Sequence, residues 1–262
     1  AFARRTEILH RTRAKLEFVT TSFGGVLGFL MRPRDSPRAR YAVEQPAGYK
    51  WFDYARVYHV PEGPMRTDPR YGGCEGNSLA ALGPPLRISD PECVLKLSEL
   101  TYRYGLDPES LGTTIAWVMS GHAKGYLPAD FAPGLEFSDC EAAIRAVHHI
   151  AQREDFGDLL ADGSARAARR FGEEARRQTM TCKGKELPVH EPRNKPGLAL
   201  AYGVGPIGPD YCVVEHDWDY SPDGFPYILK KSHSFGILRG TLEYSFSRDK
   251  IPQVVLLHRW WS

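Results

Sequence analysis

Residues 89 to 125 constrain this chain more than any other stretch, because two complete helix start-and-stop signals follow one another with almost no loop between them. The first start is Ser89-Asp90-Pro91-Glu92: a side chain that can accept orphan backbone N–H groups, a proline at the first helical position, and an acid near the positive end of the dipole. Val94, Leu95, Leu97, Leu100 and Thr101 then recur near i, i+3, i+4, i+7, so one stripe faces a core while Lys96, Glu99 and Arg103 face away. Gly105 stops this helix, since a residue without Cβ closes a left-handed C-terminal turn at no steric cost. Asp107-Pro108-Glu109 repeats the start signal at once. Ile115, Ala116, Val118 and Met119 carry the apolar stripe on until Gly121 to Gly125 ends it.

The junction Tyr102-Arg103-Tyr104-Gly105-Leu106-Asp107 therefore gathers the C-terminal carbonyls of one helix and the first N–H groups of the next. It reads either as an ordinary helix corner in which Asp107 is only an N-cap, or as a place where polar groups of a ligand dock. Helical periodicity continues over Ser138 to Arg153, with Ala142, Ile144, Val147, Ile150 and Ala151 on one face. Convincing strand alternation is scarce, and Thr241 to Ser247 is the best candidate. The pattern predicts a mostly α fold in two helical lobes with few short strands, the lobes sharing an interface near residues 180 to 220. Three segments are expected: 1–68, an N-terminal helix with Phe2, Leu9 and Leu16 on one face and a proline-rich linker; 69–178, a helical domain; and 179–262, a partial C-terminal helical domain.

Charge and apolar runs exclude several classes. A net charge of +2 makes no case for nucleic acid, and the Arg166, Arg169, Arg170, Arg176, Arg177 cluster is interrupted by Glu173 and Glu174, as in a salt-bridge-laced helix face. Phe18 to Met31 is too short, and too interrupted by Thr20, Thr21 and Ser22, to span a bilayer. No secretion signal is read at the start, and Cys74, Cys93, Cys140, Cys182 and Cys212 are dispersed, so five free thiols in a reducing cytoplasm are expected.

Downstream, ELPVHEPR and GPDYCVVEHDWD place His190, Glu191, Asp210, Tyr211, Glu215, His216, Asp217 and Asp219 close together in sequence. A metal site is not expected there: no HxxxH or HExxH spacing supports it, and consecutive residues on one helix cannot all face one ion. Two readings of His216 stay open. Either it is buried beside Trp218 with Asp217 or Asp219 capping a helix start, or it handles protons at a reacting group.

Several blocks resemble one known family. Tyr71-Gly72-Gly73, Leu79-Ala80-Ala81-Leu82-Gly83 and Arg103-Tyr104-Gly105-Leu106-Asp107 look like the YGGPEYETLAALG and RYGLD segments of the tungsten-containing aldehyde:ferredoxin oxidoreductases. Ala151 to Ala167, Cys182 to Arg193 and Gly197 to Gly203 follow in the family's order and wording, resembling REGIGDLLAEGVKRA, VKGLELPxxDPR and the block after it. The resemblance implies domains 2 and 3 of that fold. It also implies a tungsten or molybdenum ion held by two pterin dithiolenes, a 4Fe–4S cluster beside it, and electrons passed from an aldehyde to ferredoxin or another electron-transfer subunit.

Residue by residue, the resemblance makes Gly105, Leu106 and Asp107 part of a pterin-holding DxxGLD-type loop, with Tyr102 where the family has its first aspartate. Glu75 keeps one of the family's acids near the metal, as a candidate base or acceptor, whereas Asn77 replaces the other. The family's metal-proximal histidine falls on Tyr211, which leaves His190 or His216 to handle protons. The CxxCxxxC triplet has no counterpart here, so cluster binding by this chain alone is not expected. A divergent branch of the family acts on acyl-thioesters, which widens the expected substrate class. No counterpart of the family's β-rich first domain is read in this sequence, so the expectation is a segment of a longer enzyme, or a subunit that works with a partner chain or as a homodimer. A non-catalytic helical interaction module is the alternative.

Overall fold

The computed structural model describes residues 60, 62–71, 74, 76–190, 192–214, 216–222 and 232–261. The expected helix over residues 2 to 17, most of the proline-rich linker, and Glu75 lie outside the described residues. The fold is mostly α, and the chain divides into two compact units, one ending at Thr179 and one beginning at Met180.

The first unit is built on α1 (Gly76–Leu82), α2 (Pro91–Tyr104), α3 (Pro108–Lys124) and α4 (Cys140–Gln152), followed by the short α5 (Phe156–Leu160), α6 (Ser164–Ala167) and α7 (Glu173–Arg177). The starts form as the residues dictate. Asp90 accepts from Glu92 N, and Asp139 accepts from Ala142 N at the head of α4. The apolar stripes meet in one core: Val94, Leu97 and Leu100 of α2, Ile115, Val118 and Met119 of α3, and Ala143, Ala146 and Val147 of α4 are all nearly inaccessible. Each larger aliphatic buried in this way contributes about 1.5–3 kcal/mol. α1 crosses α3 so closely that a Cβ at Gly112 would stand 2.2 Å from the Ala81 carbonyl oxygen, so only glycine fits there.

Glu99 departs from its expected place. It is 5% exposed, accepts from Lys96 Nζ at 2.7 Å and Arg103 Nη1 at 3.5 Å, and also accepts from the Asp68 backbone N–H. Two cations on its own helix and a backbone donor from the preceding segment compensate for its desolvation. A period count sees the polar residue but not the chain that folds over it.

The cysteine expectation is also corrected: Cys93 and Cys140 form a disulfide. The cause is packing. Cys93 lies in the first turn of α2 and Cys140 opens α4; these helices pack together, and the two Cα atoms stand 6.0 Å apart, within disulfide reach. Cys74, Cys182 and Cys212 are free thiols.

The second unit holds β1 (Thr181–Cys182) and β2 (Lys185–Glu186), an antiparallel pair, then α8 (Pro196–Val204) and α9 (Lys250–Trp261), which pack together around Leu198, Ala201, Tyr202, Val214 and Val254. The strand expected over Thr241 to Ser247 does not form. Ser245 N bonds back to Leu242 O, and the Ser245 hydroxyl accepts from Ser247 N, so hydroxyl-stabilised turns replace the ladder.

Candidate functional site

The junction between α2 and α3 is as tight as its residues predict. Gly105 sits at φ 67, its N–H bonding to the Thr101 and Tyr102 carbonyls, and Leu106 N bonds to Thr101 O at 2.9 Å. Asp107 starts α3 at once: its Oδ1 accepts from Glu109 N at 2.8 Å and from Ser110 N at 3.3 Å. Tyr102, Arg103, Tyr104 and Gly105 are exposed in a row, whereas Leu106 is half-buried against the core. The Tyr102 hydroxyl is 3.2 Å from Ser78 Oγ on α1, and the Arg103 guanidinium lies 5.7 Å over the Tyr71 ring.

These groups fit a pterin. Such a ring system presents amide and amino groups along one edge that both donate and accept. The junction offers a phenol, a guanidinium and the carboxylate of Asp107, with no Cβ at Gly105. The residues do not fit an iron–sulfur cluster. Cys93 and Cys140 are bonded to each other, and among the described residues no group of three His, Cys, Asp or Glu side chains could hold a metal ion.

In the second unit, three residues widely spaced in sequence come together. The His190 and His216 rings lie 4.4 Å apart, Tyr211 meets His190 edge-on at 4.4 Å, and Tyr211 stacks on His216 at 6.0 Å. Sequence reasoning missed the fourth member. Lys195 places its Nζ 3.5 Å from His190 Nδ1 and 3.3 Å from His216 Nδ1. The available signal was that lysine stands where a helix wants an accepting cap, just before Pro196 at the first position of α8.

That cap comes from elsewhere. Asp217 spans the α8 start with both oxygens, accepting from Gly197 N at 2.8 Å and Leu198 N at 3.0 Å. Lys250 of α9 pairs with the same carboxylate at 2.5 Å, and both side chains are almost wholly buried. A Cβ at Gly197 would stand 2.9 Å from Asp217 Oδ1, which is why glycine follows the proline. Asp217 therefore caps a helix twenty residues upstream, and the helix start expected at Asp217 or Asp219 is instead a single 3-10 turn, Asp217–Tyr220.

Burial depresses both imidazoles. His190 is pushed down to about 3, first by desolvation and then by the His216 and Lys195 charges. His216 is pushed down to about 4 by desolvation and Lys195, with Asp217 opposing. Both rings are neutral at pH 7. Because the unfolded chain titrates near 6.5, it binds more protons than the folded chain below that pH. The stabilisation from the neutral pair is complete above pH 6.5 and drains away as pH falls toward 3–4. The unfolding free energy of the full chain, read from urea denaturation, is expected to drop over this window by about 1 kcal/mol per pH unit for each ring, after allowing for partial screening. His190→Gln and His216→Gln each flatten that slope, and an unchanged slope in both counts against the burial of these rings.

Residues 53–260 match the family described as "Aldehyde ferredoxin oxidoreductase, domains 2 & 3". The tungsten-containing aldehyde ferredoxin oxidoreductase of Pyrococcus abyssi is 33% identical over 208 residues, covering 77% of this chain and 31% of the relative. That of Thermococcus kodakarensis is 34% identical over 197 residues, covering 73% and 31%. A Pyrococcus furiosus protein named "Aliphatic sulfonate oxidoreductase, WOR-like subunit" is 27% identical over 157 residues, covering 54% of this chain and 25% of the relative. The chain thus spans about a third of the length of the curated aldehyde ferredoxin oxidoreductases it matches. With that match across both described units, the chain belongs to the aldehyde ferredoxin oxidoreductase family, in the part formed by domains 2 and 3.

Proposed function

We propose that this chain is part, as a segment or a divergent subunit, of a tungsten- or molybdenum-pterin oxidoreductase that oxidises aldehydes or acts at the acyl-thioester or acid level. In such an assembly a 4Fe–4S cluster would relay the electrons to ferredoxin or an equivalent electron-transfer subunit, and the described residues of this chain would not be its ligands. The bound metal–pterin group supplies a two-electron redox centre. Around it, Tyr102, Gly105, Leu106 and Asp107 orient the pterin edge, the glycine permitting close approach and the exposed carboxylate accepting its N–H groups. His190, Tyr211 and His216 serve the reacting end of the substrate, and Glu75 is the proton acceptor.

The observation that carries this reading is the exposed, polar RYGLD junction inside a family match covering most of the chain. The relative named as a subunit supports an assembly in which several chains share the work. The test is metal and pterin analysis of the chain produced with its neighbouring coding sequences. Tungsten or molybdenum with pterin, and aldehyde-dependent dye reduction that falls at least tenfold in Asp107→Ala, is the expected result. An assembly free of all three overturns the proposal.

One set of residues favours a second reading, the non-catalytic interaction module. Val204, Ile207, Leu238 and Phe246 of the second unit are 66%, 59%, 71% and 85% exposed, apolar side chains that a partner chain would cover. Under this reading the same purification yields a stable, cofactor-free complex.

A further inference from the structure

We propose that the cavity between α4 and the start of α5 binds a small zwitterion, an α-amino acid with a branched apolar side chain, whose carboxylate meets Arg145 and whose ammonium meets Asp155. The cavity measures about 290 Å³, the lower end of the range for small-molecule sites. Its apolar wall is Pro133, Leu135, Ala142 and Phe156, and its polar side chains are Arg145, His149 and Asp155. It shares no residue with the α2–α3 junction or the histidine cluster, so it goes beyond the redox reading. The charges carry the argument. Arg145 and Asp155 line one cavity with opposite signs yet do not pair: Arg145 forms no ion pair among the described residues, and Asp155 has His149 Nδ1 beside it at 3.4 Å. A guanidinium and a carboxylate held apart at an apolar cavity complement a ligand that carries both charges on an apolar body. A plain carboxylate would meet Arg145 but face Asp155 as a like charge, and a plain amine would meet the converse.

Asp155 marks the cavity as built. It sits at φ 47, ψ −126, a backbone conformation that suits glycine, and in the wording this segment resembles, REGIGDLLAEGVKRA, the same position is glycine. Helix capping does not offset that strain, since the side chain makes no cap bond to α5. Nor does an aligned bond to the imidazole: His149 Nδ1 is buried and makes no hydrogen bond among the described residues. The carboxylate therefore keeps its lone pairs for an incoming donor. Gly157 fixes where it stands, because a Cβ there would lie 2.2 Å from the His149 carbonyl oxygen, so the chain after Asp155 is pressed onto the end of α4. Phe156 places its ring 4.8 Å from the His149 ring and supplies the apolar side.

The experiment is 1H–15N chemical-shift titration of the full 15N-labelled chain with L-leucine, and with the two molecules that each lack one of its charges, 4-methylpentanoate and 3-methylbutylamine. Expected are saturable shifts at the amides of residues 133–135, 142–149 and 155–157 with L-leucine, and binding at least about tenfold weaker with either analogue. Arg145→Gln and Asp155→Gly each weaken L-leucine binding by a similar factor. Asp155→Gly does so without lowering the melting temperature, since glycine suits the positive φ, which separates a lost ligand contact from a lost fold. The absence of any saturable shift overturns the proposal, as does either analogue binding as tightly as L-leucine, or unchanged binding in Asp155→Gly. Metal-free protein serves, so failure of the redox reading leaves this result standing.

Discussion

Asp217→Ala lowers the unfolding free energy of the second unit by about 4 kcal/mol, read from urea denaturation of the full chain. Three losses coincide in that one change. Lys250 is left buried without its counter-charge, and the N–H groups of Gly197 and Leu198 lose their acceptor at the head of α8. Breaking a buried pair on one side costs more than the pair itself contributes, because the remaining charge cannot reach water. The double substitution Asp217→Ala with Lys250→Met is therefore expected to be more stable than Asp217→Ala alone by about 2 kcal/mol, a coupling that a double-mutant cycle reads directly. Additive effects would show that the two side chains do not meet. Asp217→Asn preserves one accepting oxygen and falls between the parent and alanine.

The second large effect is expected in the first unit. Replacing Cys93 and Cys140 together by alanine costs about 4 kcal/mol in the chain-entropy account, since the bond closes 47 residues of sequence. For a unit of this size that is roughly a 10 °C drop in melting temperature. Reductant lowers the parent's melting temperature by a comparable amount and leaves the double variant unmoved, whereas Cys74→Ala keeps the parent's sensitivity. Thiol titration of the unfolded, unreduced chain gives three equivalents if the bond is present. Five equivalents would remove it from the account.

Much of the first unit was legible because its signals are local. Asp90, Asp107 and Asp139 each cap within three residues of themselves, and Gly105 and Gly125 close helices that end where the glycines stand. Window-scale chemistry decides such features. What was not legible depends on chain distant in sequence. Glu99 looked solvent-facing by period, yet a segment some thirty residues earlier covers it. The disulfide needs α2 and α4 side by side, and no spacing rule supplies that. Thr241 to Ser247 alternates as a strand should, but among the described residues no strand pairs with it and its serines bond their own backbone instead. At the candidate site, His190, Tyr211 and His216 were named from residue type and resemblance, while their meeting and the part of Lys195 required the fold.

His216 and Asp217 are neighbours in the chain and, under the proposed function, opposites in role. One ring faces a lysine and a second imidazole; the next side chain turns inward and ties two helices. A survey of random variants scored by activity would mark both positions as intolerant and so pair them as one catalytic dyad. Scored by abundance, they separate: His216 variants accumulate and fail, Asp217 variants disappear. Reading activity and abundance together thus becomes a requirement for mapping this site, because the proposed chemistry and the scaffold occupy consecutive residues.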